Sequence, residues 1–296
     1  MTDELTGHWA DRIDRIEKNA ETALVYRLLD ATGRDLSGEL RSAYRRDAVR
    51  QTIPAAPGTL KICAEGDSWI NILWPFSAAL GYDMTFFDVI EQRPDLYTRG
   101  IAWPGDTFAE ILAARDYRQP LASGIYDFFI FSGGGNDILG GSALATLLKP
   151  KEAGGGSGDP RAYLIGGRLD AALSRLAEGY NTLAADVAAL APGTVLLLHG
   201  YDRPVPLAGE PWLGQPFAAK GYDLEADARL IAEIIAFLVD HFYALLDKVT
   251  KNHPNAEVMD LRGIVAGRWT DELHPRQDAS TDIAQTFLER LLPLQG

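Results

Sequence analysis

Sulfur is nearly absent from this chain: of 296 residues, one is cysteine (Cys63) and three are methionine. A single thiol excludes an internal disulfide framework and any Cys-x-x-Cys metal site, as expected of a protein made for a reducing compartment. Positive charge is also in short supply, with 28 Lys and Arg against 41 Asp and Glu and a formal net charge of -13. That balance repels phosphates and anionic membrane surfaces and argues against nucleic acid as a partner. No apolar run approaches the roughly 20 residues needed to span a bilayer. The opening stretch, MTDELTGHWADRIDR, is acidic and interrupted by charges, without the basic region and apolar core of a secretory signal. The expectation is a soluble, cytoplasmic protein with no membrane span.

What is present is enough for a large core, since 47% of residues are apolar and 9% aromatic. Trp9, Ile13, Ile16, Ala20, Leu24 and Leu28 recur at spacings of three and four, the signature of one amphipathic helix face ending near Gly33. A second, more basic helical stretch runs from Glu39 to Arg50, and Pro54-Ala-Ala-Pro57-Gly58 closes it. Residues 1–58 are therefore expected to be an N-terminal helical extension, and 59–296 a separate domain.

Beyond Gly58, short apolar runs alternate with longer periodic ones. This pattern predicts parallel strands with crossover helices, a doubly wound α/β sheet flanked by helices. Strands are expected at Leu60–Ala64, Met84–Phe87, Tyr126–Phe131, Thr194–His199 and Glu257–Leu261, and long helices at Gly167–Leu190 and Leu224–Val249. Lys149–Pro160 (KPKEAGGGSGDP) has the glycine content of a mobile loop. Tyr201–Tyr222 is long, proline-rich and aromatic, which fits a lid or pocket wall.

Ligands of open α/β sheets bind beyond the carboxyl ends of the strands. Four segments follow apolar runs in this way or close the last one: Gly66-Asp67-Ser68-Trp69, Trp103-Pro104-Gly105-Asp106-Thr107, Ser132-Gly-Gly-Gly135-Asn136-Asp137, and Asp271-Glu272-Leu273-His274-Pro275. Each alone has a bland explanation. GGGND reads as a glycine turn with a helix cap, Thr107 with Glu110 as a capping box, and DELHP as a solvated turn. Their joint occurrence in this order is what favours chemistry.

Taken in order, GDS, PGDT, the G-x-N-D of Gly134 to Asp137 and the D-x-x-H of Asp271 and His274 resemble the blocks of the SGNH hydrolases, the GDSL-type esterases and lipases. The resemblance runs from about Leu60 to Leu292 and implies a flavodoxin-like sheet. It also implies an oxyanion hole formed by Ser68, Gly105 and Asn136. Trp69 departs from the aliphatic residue common after GDS, and neither the first 55 residues nor the 201–222 loop matches a family block.

The chemistry is consistent without the family. A serine hydroxyl is a weak nucleophile and needs a base and a group that orients the base. His274 is the candidate base and Asp271, three residues earlier, the candidate orienting acid. The Ser68 and Gly105 backbone N–H groups and the Asn136 amide are available donors for a developing oxyanion. Asp67 and Asp137 read as acceptors for local backbone N–H groups. Trp69, Trp103, Tyr201 and Trp212 are candidates to line a substrate pocket. His199 also ends a strand and competes with His274, but lacks a neighbouring carboxylate; Cys63 lies inside a strand and reads as a buried structural thiol. The G-x-S-x-G elbow of ordinary α/β hydrolases is absent.

The expected function is hydrolysis of a small-molecule carboxylic ester with no metal or other cofactor. A metal-dependent phosphoesterase is the rival, although the chain has no D-x-H. A non-catalytic binding module on the same fold is the second alternative. Substrate and oligomeric state are left open by the sequence.

Overall fold

The computed structural model describes residues 9, 11–18, 26–50 and 58–292. Five parallel strands form the central sheet: β3 (Leu60–Glu65), β4 (Leu96–Gly100), β5 (Phe128–Ser132), β6 (Val195–His199) and β7 (Ala256–Met259), in spatial order β4-β3-β5-β6-β7. β3 lies between β4 and β5, with Cys63 opposite both Arg99 of β4 and Phe129 of β5. All five residues of β5 are buried, as expected when both faces of a parallel strand are covered by helices.

The crossover helices owe their positions to apolar stripes. In Gly166–Leu190 the buried residues Leu169, Ala172, Leu176, Tyr180, Leu183 and Val187 recur at three and four. Ala228–Asn252 packs against it with Ile231, Ile234, Leu238, Phe242 and Leu245 buried along its length. Helices Phe86–Glu91 and Gln277–Leu291 pack on each other, with Phe86 and Phe287 stacked at 4.7 Å between centroids. The doubly wound sheet flanked by helices expected from the alternation is the fold observed, and order reverses between β3 and β5 as in flavodoxin-like sheets.

Several local expectations are corrected. Met84–Phe87 is not a strand: Thr85 caps the helix Phe86–Glu91, accepting a hydrogen bond from the Asp88 N–H while Asp88 accepts one from the Thr85 N–H. The strand of this region is β4, one helix later. Lys149–Pro160 is arranged in tight turns, with the Lys151 N–H donating to the Lys220 carbonyl and the Tyr163 hydroxyl to the Ser157 carbonyl.

The first predicted helix is also corrected. Arg15–Lys18 (β1) and Tyr26–Leu29 (β2) are antiparallel strands, with Ile16 opposite Leu28; Ala20 and Leu24 lie outside the described residues. Tertiary contacts override the periodicity here. Leu28 is fully buried, its carbonyl accepts from the Leu36 N–H, and its N–H donates to the Ser37 hydroxyl. The second helix is present as Ser37–Arg50. Trp9, Leu28, Leu36, Leu40 and Tyr44 of this extension pack with Ile72, Leu73, Tyr82 and Trp103 into a small core of their own.

Candidate active site

At the end of β3 the chain makes a tight exit. Gly66 adopts a φ of 153°, and a Cβ there would lie 2.2 Å from the Ser132 carbonyl oxygen at the end of β5. Only glycine lets the two strand ends approach this closely. The next residues form a single turn, with the Ile70 and Asn71 N–H groups donating to the Asp67 carbonyl.

The D-x-x-H segment is a tight loop in which the Thr270 N–H donates to the His274 carbonyl. Asp271 Oδ1 accepts from the backbone N–H of both Leu273 and His274, each at 2.8 Å. The carboxylate and the imidazole are thus fixed by the same loop. His274 Nδ1 lies 2.9 Å from Asp271 Oδ2, and His274 Nε2 lies 2.9 Å from Ser68 Oγ. All three side chains are buried, with Ser68 7% exposed, Asp271 5% and His274 3%. Hydroxyl, imidazole and carboxylate therefore form one continuous relay. Burial would push the Asp271 carboxyl up, but the His274 charge and hydrogen bond and the two backbone donors outweigh it and hold the group below the ordinary carboxylate range.

The other sequence candidates divide. Gly105 sits in a left-handed turn with a φ of 84°, and Asn136 Nδ2 donates to the Asp106 carbonyl at 2.9 Å, joining the second and third segments. Asp67 accepts from the Trp69 N–H, the Ser132 hydroxyl and the Tyr201 hydroxyl, and Asp137 from the Phe108 N–H, the helper roles read from the sequence. Trp69 and Tyr201 line a cavity open to solvent beside Ser68, together with Asn136, Leu139, Trp269 and Leu273. Trp103 and Trp212 do not line this cavity. Trp103 is fully buried in the N-terminal core, and Trp212 packs partly buried against the main one.

Among the described residues, His199 has no carboxylate partner of the kind His274 has in Asp271. Its Nδ1 lies 2.7 Å from the Gly200 carbonyl, and its ring is packed among Phe86, Phe287 and Trp69. Burial pushes its pKa down to about 4, so the ring is neutral at physiological pH. Cys63 is fully buried, and burial raises its thiol pKa, which favours the unreactive protonated form.

Three contributors escaped the sequence. Tyr82 donates its hydroxyl hydrogen to Asp271 Oδ2 at 2.9 Å. Glu272 is fully buried and accepts from the N–H groups of Leu207, Trp212, Leu213 and Gly214 at 2.7–2.9 Å, tying the 201–222 loop to the segment that carries His274. Asp202 holds the Gly263 and Val265 N–H groups at 2.8 Å each. An acidic residue inside an already chemical segment was the available signal for Glu272; nothing local marked Tyr82. Among the described residues, no group of three or more His, Cys, Asp or Glu side chains is gathered as metal ligands, and no helix is long and apolar enough to cross a membrane.

No family model and no curated protein matches the sequence. Solved structures do match. An extracellular lipase from Streptomyces rimosus superposes with a TM-score of 0.50 at 16% identity, covering 77% of this chain and 99% of the lipase. A phospholipase A1 from Streptomyces albidoflavus gives a TM-score of 0.50 at 16% identity, covering 79% of this chain and 99% of that one. With the sheet order, the four segments and these likenesses together, the chain has the fold of the SGNH, GDSL-type hydrolases.

Proposed function

We propose that the protein is a serine-dependent carboxylic ester hydrolase. The observation that carries this reading is the buried relay in which Ser68 Oγ and Asp271 Oδ2 each lie 2.9 Å from opposite nitrogens of His274. Ser68 Oγ attacks the ester carbonyl carbon while His274 Nε2 takes its proton; Asp271 fixes the tautomer and stabilises the imidazolium. Charge developing on the carbonyl oxygen is met by the Ser68 and Gly105 N–H groups and the Asn136 amide. Collapse expels the alcohol, which leaves with the proton from His274. Water, deprotonated by the same imidazole, then attacks the acyl group and releases the acid and Ser68.

The cavity beside Ser68 supports an uncharged, apolar acyl group. Its walls are mainly aromatic and aliphatic, and Gly135, Leu139 and Tyr201 also border a second apolar pocket lined by Ile138, Leu238, Val239 and Phe242. The test is a panel of p-nitrophenyl esters of increasing acyl length, with and without EDTA. The reading expects chelator-resistant hydrolysis that is faster on hexanoate than on acetate. Activity abolished by chelator would support the metal-dependent phosphoesterase instead. No hydrolysis of any ester would favour the binding module.

A further inference from the structure

The N-terminal extension reaches the turn that carries Gly105. Asp106, the next residue, is fully buried, and it is bonded on two sides. Its backbone carbonyl accepts from Asn136 Nδ2 at 2.9 Å, and its carboxylate is ion-paired with the guanidinium of Arg41 from the helix Ser37–Arg50. The same helix donates the Tyr44 hydroxyl hydrogen to the Gly100 carbonyl at 2.8 Å, at the end of β4. Between these two contacts lies Trp103, its ring 6.0 Å from that of Tyr44 and 5.9 Å from the Arg41 guanidinium carbon. The segment leaving β4 is therefore held at Gly100, Trp103 and Asp106 by one helix that lies outside the α/β sheet.

Removing Arg41 would leave a carboxylate out of water without this guanidinium. It would then take up a proton or shift toward solvent. Either response moves the backbone of Gly105 and Asp106, which carries one oxyanion donor, the Gly105 N–H, and the acceptor that orients the other, the Asp106 carbonyl. Displacements of about 1 Å at such donors are enough to cost a large part of a rate enhancement.

We propose that Arg41 is a positioning residue for the oxyanion donors, acting through Asp106, so that the N-terminal extension completes the active site. This rests on the reading of Gly105 and Asn136 as donors to a developing oxyanion.

The test measures kcat and KM of the full chain on p-nitrophenyl butyrate, with fluorophosphonate labelling of Ser68 in parallel. Arg41→Met is expected to lower kcat about tenfold, a part of the 10²- to 10³-fold lost with a whole donor, with KM nearly unchanged. Arg41→Lys keeps the charge and is expected to recover most of that loss. In an Asn136→Ala background, Arg41→Met is expected to cost clearly less than in wild type, because residues acting as a unit are not additive. Wild-type kcat in Arg41→Met, or full multiplication of the two losses, overturns the proposal. Should Arg41→Met fail to fold, the pair Arg41→Met with Asp106→Asn removes both charges; reduced kcat in the folded pair supports positioning, and normal kcat overturns it. Wild-type chain that neither hydrolyses the ester nor labels removes the hydrolase reading itself and this proposal with it. A labelled, active wild type beside an unaffected Arg41→Met removes the proposal alone.

Discussion

The sheet's carboxyl-end rim and the N-terminal extension are built by different means. At the rim, each candidate residue sits immediately after a strand or inside a short loop that orients it: Ser68 after β3, Asn136 after β5, and Asp271 and His274 in one loop closed by its own hydrogen bonds. In the extension, β1, β2 and the helix Ser37–Arg50 have their geometry set by distant partners, with Leu28 and Leu40 packing on Ile72, Tyr82 and Trp103. The first region is specified locally and assembled by the sheet. The second is specified by what it covers. Yet the two touch where the chemistry is proposed: Arg41 of the extension pairs with Asp106, and Tyr82, on which the extension packs, bonds Asp271.

Substitutions sharpen this contrast. The largest effect is expected at the rim: Asp271→Asn should lower kcat on a p-nitrophenyl ester about 10⁴-fold, because the amide holds the wrong tautomer of His274. A loss under tenfold would mean that the relay is only structural. Asn136→Ala should lower kcat roughly 10²- to 10³-fold with little change in KM, read from the same assay.

His199 tests whether a buried histidine near the relay is merely packed. In the folded chain burial lowers its pKa to about 4 from 6.5, so the unfolded chain binds its proton first as pH falls. Stability is expected to drop by about 3 kcal/mol between pH 6.5 and 4 on this account. Urea unfolding of His199→Gln should lack that part of the slope, and identical slopes would count against a buried neutral ring. The smallest effect is expected where the regions meet. Tyr82→Phe removes one hydrogen bond to Asp271 and should cost about 1 kcal/mol in activation free energy, roughly a five- to tenfold fall in kcat. An unchanged kcat would detach the small core from the chemistry.

Much of the rim was legible because its signals are short: an apolar run, a turn-forming glycine, then a polar residue. Thr107 with Glu110 was read as a capping box and is one. Met84–Phe87 misled because a short run with three apolar residues of four does not distinguish a strand from a capped helix. The spacing from Trp9 to Leu28 misled more deeply, since it matches a helix face while Leu28 is claimed by Ser37 and the small core. Glu272 and Tyr82 were passed over for a related reason. The partners of Glu272 lie about 60 positions away, and those of Tyr82 nearly 190, so the local sequence does not identify them.

The account stands most directly on Ser68. Wild-type protein treated with a fluorophosphonate, digested and mapped by mass spectrometry should carry one adduct, on the peptide containing Gly66-Asp67-Ser68, and Ser68→Ala should carry none and lose ester hydrolysis. Hydrolysis that persists at the wild-type rate in Ser68→Ala, or an adduct on a different residue, would contradict it.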